Sequence, residues 1–274
     1  MSRLSLRNID IVISFRAASA ERSENLYTVL RHLDYTYSDY RVWLMEADTA
    51  PCFDWARLAD RKIRHMYVPD SGPFPKALLY NMGARLCSSP VVCFHDADCI
   101  SRPQHLAYCV ERLLSGDGSD APGAGIGAMC PFQSMINVDG DTKRDFVRTP
   151  DFSVFDGLEH PPRASPDVSL LYPYNVGGVF LFRRQLYTKI GGCNPACTGW
   201  GSEDNELFAR ARRLGVEWQA ITQPMFHLNH DSPNRNGYSQ SASAERNKAV
   251  ESAANEMPLD ELKLLAGKLS RFFQ

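Results

Sequence analysis

The chain lacks several features that would place it directly in a functional class. Its eight cysteines form no Cys-x-x-Cys pair and lie mostly inside apolar segments. This spacing argues against a zinc site or a disulfide framework, and it is typical of buried thiols in a reducing compartment. The 30 basic and 32 acidic residues give a formal net charge of −2, so we expect no sequence-independent binding to nucleic acid.

Long apolar runs are also missing. The run nearest the N-terminus, residues 9–15, is short and contains Asp10. A membrane span needs roughly 20 apolar residues, so the sequence predicts neither a signal peptide nor a membrane anchor. With 44% apolar and 23% charged residues, the composition is typical of a soluble globular protein, which we expect to be cytoplasmic.

Strands and helices alternate in the N-terminal half. The pattern predicts strands at residues 9–15, 40–45 and 63–68, and helices at residues 23–33 (with Ser23 as the cap), 74–87 and 105–114. Residues 133–173 show little periodicity, and we expect a long loop there, followed by a strand at residues 174–182. The fold class predicted is α/β, with a Rossmann-like mixed sheet flanked by helices in a single domain.

The stretch with the clearest chemical meaning is the apolar run 91–94, which leads into Asp96 and Asp98. Residues just past the carboxyl end of a buried parallel strand lie where α/β proteins bind ligands. Alternate residues of an extended segment point the same way, so both carboxylates can face one ligand. Oxygen ligands of this kind suit Mg²⁺ or Mn²⁺ shared with phosphates, and the stretch therefore predicts a metal–diphosphate site.

Other interpretations of this pair stay open at this point. The two carboxylates can simply be a polar strand end before the helix that begins near Ser101. Asp96 can instead be a phosphatase-type nucleophile, although Cys99 stands where such enzymes usually have Thr or Val.

Three further groups of residues carry chemistry. Glycines on both sides of Trp200 permit a tight turn that exposes its ring to a sugar face, and Glu203 and Asp204 follow at a helix start, where the helix dipole favours ionised carboxylates. A carboxylate kept ionised beside a sugar hydroxyl is a candidate general base. The alternative is a helix cap beside a core tryptophan.

His227 and His230 follow a strand end, where neutral imidazoles can complete a metal site begun by Asp98. The alternative is a pair of partly exposed histidines at a strand–loop junction.

Four residues fall near the same predicted sheet edge: Phe15, Arg16, Glu46 and Lys76. A guanidinium and an ammonium suit a diphosphate, and a carboxylate can accept hydrogen bonds from a nucleobase or ribose. Each of these residues, taken alone, is better explained as a surface residue.

Taken together, these stretches resemble metal-dependent glycosyltransferases of the nucleotide-diphospho-sugar (GT-A) fold. The nearest likeness is to the β-1,4-galactosyltransferases, the chondroitin polymerases and the polypeptide N-acetylgalactosaminyltransferases. The motifs that carry the resemblance lie, in the expected order, at residues 11–16, 74–83, 96–98, 177–178, 190–192 and 200–204. The resemblance covers about residues 9–236.

The resemblance implies a role for each matched position. Asp98 would bind the metal, Mn²⁺ or Mg²⁺, together with His227 or His230, and Asp96 would approach the ribose or the metal. The donor contacts would come from Phe15, Arg16, Glu46, Lys76, Asp96 and Asp98. Asp204 would deprotonate the acceptor, Glu203 would hold the sugars, and Trp200 and Gly178 would lie at the acceptor. These roles imply an inverting transfer of a hexose, aminosugar or uronic acid from a UDP-sugar to a saccharide or glycoconjugate.

The resemblance also has gaps and alternatives. Ser14 replaces the proline of the family's Pro-Phe-Arg motif, and Ala17 replaces a common asparagine. A sugar-nucleotide nucleotidyltransferase is an alternative, but it would need a Gly-rich basic loop after the first strand, where this chain has residues 17–20. A non-catalytic sugar-nucleotide-binding module is another.

For domain organisation, we expect a GT-A domain at residues 1–250, with a nucleotide-sugar half at about 9–115 and an acceptor half at 125–236. Residues 251–274 would form an amphipathic helix, which could contact a membrane surface or a second copy of the chain or pack on the domain. Residues 229–243 are expected to order over bound donor.

Overall fold

A computed structural model describes residues 3–58, 62–115, 125–158, 165–199, 201–231 and 242–274. In chain order its elements are β1 (Leu4–Phe15), α1 (Ala20–Thr36), β2 (Tyr37–Asp48), β3 (Ile63–Pro69), α2 (Lys76–Leu86), β4 (Val91–Asp96), β5 (Cys99–Ile100), α3 (Pro103–Leu114), β6 (Ile126–Cys130), β7 (Ser134–Val138), α4 (Gly140–Arg148), β8 (Val168–Tyr172), β9 (Val179–Arg183), α5 (Arg184–Lys189), α6 (Glu203–Arg213), β10 (Glu217–Ala220), β11 (Pro224–Leu228), α7 (Ala242–Glu256) and α8 (Leu259–Ser270).

The described strands form two sheets. The larger has seven strands in the order β10-β6-β9-β4-β1-β2-β3, and β9 runs antiparallel to both of its neighbours. The smaller has the order β5-β11-β7-β8. The structure confirms the expected α/β fold, a mixed Rossmann-like sheet flanked by helices in a single domain.

The central part of the core is formed where the apolar run of β1 packs against α2. Ile11, Val12 and Ile13 are fully buried. The helix approaches so closely that a Cβ on Gly83 would lie 2.3 Å from Cγ1 of Val12, which leaves room only for glycine. On the same helix, Asn81 donates from Nδ2 to the Cys193 carbonyl over 2.7 Å and accepts from the Cys193 amide over 2.9 Å. Helix α2 is thereby tied to the turn that precedes α6.

Residues 133–173 differ most from the expectation. In place of a long loop, their described part contains β7, α4 and β8. Each of these elements has only five to nine residues. They are stabilised by non-local pairing, since β7 lies between β11 and β8 in the smaller sheet. Such short elements show too few periods for a sequence pattern to reveal them.

Two predicted boundaries were also wrong. The first helix begins at Ala20, and Ser19, not Ser23, caps it by accepting a hydrogen bond from the Arg22 amide. The strand expected from residue 174 begins at Val179, because a Gly-Gly turn, Gly177 and Gly178, precedes it.

The C-terminal part contains two helices. Helix α7 runs through residue 250, so the predicted division of the chain there lies inside a helix. Helix α8 buries Leu262 and Ala266, and a Cβ on Gly191 would lie 2.4 Å from Cβ of Leu269, so this helix packs on the domain. In the described ranges, no helix has both the length and the apolar character needed to cross a bilayer.

Candidate active site

The carboxyl end of β4 delivers Asp96 and Asp98 to the edge of the large sheet. Strand β4 pairs with β1 so that Asp96 lies beside Ser14, and the Asp96 amide donates to the Gly178 carbonyl over 2.6 Å. Two residues on, the Asp98 carbonyl accepts from the Leu228 amide over 2.7 Å. The second bond brings the end of β11, and with it two histidines, next to Asp98.

Asp98, His227 and His230 lie together in the structure. Oδ2 of Asp98 is 3.2 Å from Nε2 of His230 and 3.9 Å from Nε2 of His227. One ligand atom from each of the three residues lies within 4.8 Å of the others, and all three side chains are largely buried. Their role as metal ligands stays a prediction.

The orientation of the two imidazoles fits a cation. Nδ1 of His227 is 2.8 Å from Oδ1 of Asn137, and Nδ1 of His230 is 3.2 Å from the Asp231 carbonyl. Each Nδ1 therefore carries a proton, and each Nε2 faces the Asp98 carboxylate. Once both Nε2 atoms are deprotonated, two imidazole nitrogens and a carboxylate that face one point are a suitable donor set for Mn²⁺.

Asp98 is held in its charged form. Burial alone would raise its pKa, but the hydrogen bond from His230 and the charges of His227 and Arg22 outweigh burial and keep the pKa well below its usual range. A carboxylate that stays ionised at all ordinary pH values is suited to ligate a metal.

Asp96 belongs to a second cluster centred on Lys76. Nζ of Lys76 lies 2.9 Å from Oδ1 of Asp96 and 3.1 Å from Oε1 of Glu203. The Tyr80 hydroxyl donates to Oδ1 of Asp96 over 2.6 Å. Burial alone would lower the pKa of Lys76, but the surrounding negative charges, Asp96 first, keep it well above its usual value. A lysine is unfavourable at the start of a helix, and these carboxylates offset that cost.

Asp204 lies against the Gly-Gly turn. A Cβ on Gly177 would come within 1.7 Å of Oδ2 of Asp204, so a side chain there would displace the Asp204 carboxylate. Burial, together with the charge of Glu203, raises the pKa of Asp204 from 3.8 to about 7. The helix dipole still favours the ionised form of Asp204, but burial beside a like charge outweighs it, because the dipole effect is only about 0.3–1 kcal/mol.

The turn that leads into α6 has a strained backbone. Gly199 and Gly201 adopt positive φ values of 77° and 95°, and Ser202 follows at 64°, where a side chain is unfavourable. This turn places Glu203 beside Lys76 and Asp204 beside Gly177. Trp200 itself lies outside the described residues. Gly178 has a φ of 98°, and a Cβ on it would lie 2.7 Å from Cε of Met225 and 3.2 Å from Sγ of Cys99.

Three of the predicted donor contacts are engaged elsewhere. Glu46 is fully buried, and its carboxylate accepts from the Cys52 amide (2.6 Å) and lies 2.7 Å from Nε2 of His65. The side chain of Phe15 is in the core at 2% exposure. Arg16 binds Asp70 over 2.6 Å and donates to two backbone carbonyls. Glu46 and Phe15 thus lie in the interior, and Arg16 joins the adjoining loops, while the donor contacts assigned to these three residues stay predictions.

Sequence reasoning missed two residues that orient the site. Tyr80 is four residues after Lys76 on α2, and helical spacing alone would have placed both on one face. Asn137 is the register partner of His227 on β7, but the expected loop over residues 133–173 concealed this strand.

Part of the sequence matches known proteins. A family model described as the N-terminal domain of galactosyltransferase matches residues 160–231. The β-1,4-galactosyltransferase 7 of Drosophila melanogaster is 36% identical over 63 residues, which is 22% of this chain and 19% of that protein. The human protein of the same name is 38% identical over 56 residues, or 20% of this chain and 17% of its own length. The matched segment thus spans less than a fifth of these relatives.

Solved structures resemble the chain over most of its length. Glucosyl-3-phosphoglycerate synthase from Mycobacterium tuberculosis, in complex with Mn²⁺, UDP and phosphoglyceric acid, has a TM-score of 0.54 at 17% identity, and the match covers 92% of this chain and 80% of that one. A second complex of that enzyme, with glucosyl-3-phosphoglycerate, has a TM-score of 0.55 at 16% identity and covers 92% and 81%. The fold is that of the GT-A glycosyltransferases.

Proposed function

We propose that this chain is a metal-dependent glycosyltransferase that moves a hexose, aminosugar or uronic acid from a UDP-sugar to a hydroxyl of a saccharide or glycoconjugate. One observation carries the proposal: Lys76 joins Asp96, on the strand that leads to the candidate metal ligands, to Glu203, which precedes the candidate base Asp204. A metal-diphosphate site and a proton acceptor in one cleft are what sugar transfer requires.

In this proposal Asp98, His227 and His230 hold Mn²⁺. When bound, the ion neutralises charge on the leaving diphosphate. Lys76 offers a fixed ammonium beside Asp96. Of the two Glu203 oxygens, Oε1 faces Lys76, while Oε2 is buried and finds no hydrogen-bond partner within the described residues. A sugar hydroxyl that donates to Oε2 would satisfy this atom, so Glu203 is suited to position a substrate.

Asp204 would act as the general base. The acceptor hydroxyl loses its proton to the Asp204 carboxylate while its oxygen forms a bond to the anomeric carbon. The bond from that carbon to the diphosphate oxygen breaks, and UDP leaves with the electron pair. A single displacement of this kind inverts the anomeric configuration. A pKa of about 7 suits this task, because half of the groups are ionised near neutral pH and the base is still strong enough to take a proton.

Similar proteins support the reaction class. The galactosyltransferase family model matches part of the chain, and so do the β-1,4-galactosyltransferase 7 relatives. The structurally similar synthase was solved in complex with Mn²⁺ and UDP. We infer a role in polysaccharide or glycoconjugate synthesis, and we place the protein in a reducing compartment such as the cytoplasm. All eight cysteines, each within the described ranges, are free thiols, which supports that placement.

Contact with a membrane surface or a second copy through α8 remains part of the proposal. Leu264 and Leu259 of this helix are 66% and 44% exposed, whereas its Leu262 is buried against the domain. Sedimentation with liposomes, with and without residues 256–274, tests the membrane contact, and light scattering tests self-association.

A screen of UDP-, GDP- and dTDP-sugars tests the function. With Mn²⁺ we expect a UDP-sugar to raise the melting temperature and to release UDP when a saccharide acceptor is added. Pyrophosphate release from UTP and a sugar phosphate would instead favour the nucleotidyltransferase. That alternative has little structural support, since only residues 16–19 separate β1 from α1. Binding without any sugar transfer or hydrolysis would favour the non-catalytic module.

A further inference from the structure

A groove runs along one face of α6, between this helix, α7 and the edge strand β10. It encloses about 520 Å³, and its lining includes Val176, Asn205, Arg212, Trp218, Glu251 and Asn255. A second hollow of about 600 Å³ shares Arg212 and Trp218 with it and continues to Gly215. Each volume lies in the range of small-molecule sites, about 300–1,000 Å³. None of the roles assigned above to the active site uses this groove.

The groove begins beside the candidate base. Asn205 directly follows Asp204 on α6, and Val176 directly precedes Gly177, against which the Asp204 carboxylate lies. From Asn205 to Gly215 the groove follows the chain for about 15 Å, at roughly 1.5 Å per helical residue. The groove therefore starts one residue from the candidate base on α6 and one residue from Gly177, within reach of a ligand longer than a single sugar unit.

The lining combines an aromatic ring with polar side chains, and both are needed to bind a sugar. Trp218 is half-buried, and Phe208 packs edge-to-face against it with ring centroids 4.9 Å apart, which fixes the ring. Asn205 and Asn255 offer amide donors and acceptors on the two helices that face each other across the groove. A pyranose can place its apolar face on the indole while its hydroxyls bond to these amides.

Two charged side chains of the groove, Glu251 and Arg212, are suited to bind hydroxyl groups. Glu251 is only 9% exposed; its Oε1 binds Nζ of Lys248 at 2.8 Å, but its Oε2 is buried and has no hydrogen-bond partner in the described part of the chain. Arg212 is exposed and lines both hollows. A buried oxygen that needs a donor and an exposed guanidinium that can donate to hydroxyl oxygens both match a polyhydroxylated ligand.

We propose that this groove is a saccharide subsite that holds the part of the acceptor remote from the reacting hydroxyl. The inference rests on the proposed function and adds the substrate class: the acceptor is an oligosaccharide of two or more units. It also assigns Trp218 and Arg212 as specificity-determining residues outside the reaction centre.

The test measures sugar binding by calorimetry with UDP and Mn²⁺ present. The probes are cellobiose, xylobiose, lactose and N-acetyllactosamine, each compared with its monosaccharides. We expect at least one disaccharide to bind the wild-type protein tenfold or more tightly than its monosaccharides. Trp218→Ala and Arg212→Ala should each remove most of that gain. Tyr108→Ala and Arg112→Ala, on the exposed surface of α3, are the matched controls and should keep it.

Affinity for UDP with Mn²⁺ is the second measurement, and it should be unchanged in all four variants, which also shows that they fold. A Trp218→Ala variant with wild-type disaccharide affinity would overturn the subsite, and so would a wild-type protein that binds no disaccharide better than its monosaccharides. Failure of the proposed function would look different, because the wild-type protein would then not bind UDP with Mn²⁺.

Discussion

Nζ of Lys76 lies 2.9 Å from Oδ1 of Asp96 and 3.1 Å from Oε1 of Glu203. One ammonium therefore joins the strand that leads to the candidate metal ligands to the helix that carries the candidate base. The three side chains are 15%, 26% and 9% exposed, so their mutual attraction is only weakly screened by solvent.

Removing this ammonium should destabilise the protein. Lys76→Met keeps the length of the side chain but leaves two largely buried carboxylates without their cation. We expect the free energy of unfolding at pH 7 to fall by about 3 kcal/mol, the usual scale when one partner of a buried ion pair is removed. Denaturant unfolding measures the change, with Lys268→Met on the exposed face of α8 as control. Equal stabilities of the two variants would contradict the bridging role.

Asp98→Asn should abolish metal-dependent nucleotide binding. The substitution keeps the size of the side chain but removes the charge that, in our proposal, binds the cation. We expect the affinity for UDP in the presence of Mn²⁺ to fall by about 100-fold or more, measured by calorimetry. Asp145→Asn, on the exposed side of α4, should bind like the wild-type protein. An unchanged affinity in Asp98→Asn would remove Asp98 from the metal site.

Asn137 should affect the affinity for Mn²⁺ through its hydrogen bond with His227. Its Oδ1 accepts from Nδ1 of His227 at 2.8 Å and so fixes which nitrogen faces Asp98. Asn137→Ala should weaken Mn²⁺ binding by about 10- to 100-fold, as substitutions behind metal-binding histidines do. Asn137→Asp restores an acceptor and should recover the affinity. If Asn137→Asp binds Mn²⁺ as weakly as Asn137→Ala, orientation of His227 is not the role of this residue.

Transfer should depend on pH through Asp204. A base with a pKa of about 7 loses its active form as the pH falls, so kcat/KM should drop about tenfold per pH unit below 7 and level off above it. Asp204→Asn should lower kcat by about 1,000-fold or more while UDP and Mn²⁺ still bind. A pH profile that is flat from 5 to 8 would contradict the assignment.

The same residue should make the protein less stable at higher pH. The folded-state pKa of Asp204 is raised from 3.8, so the folded protein binds the extra proton and is most favoured below about pH 4. This contribution is lost as the pH rises towards 7. Asp204→Asn removes the buried charge and should be more stable than the wild-type protein at pH 8 by about 1–2 kcal/mol, with little difference at pH 4. Thermal unfolding at the two pH values measures this.

The sequence alone predicted those features that depend on short local patterns. The apolar run before Asp96 and Asp98 indicated a strand end, and residues that follow strand ends share one edge of a sheet. Other features depend on contacts between distant residues. The raised pKa of Asp204 arises from its burial against Gly177, and the burial of Glu46 depends on its pairing with His65 on the neighbouring strand. No local pattern carries that information.

The most direct test of the central claim is pulsed electron paramagnetic resonance of Mn²⁺ bound to the protein with UDP. We predict modulation from imidazole nitrogen and from phosphorus on the same ion, with the nitrogen modulation reduced in His227→Ala and in His230→Ala. Bound Mn²⁺ that shows phosphorus but no imidazole nitrogen would contradict the claim that these histidines hold the cation at the diphosphate.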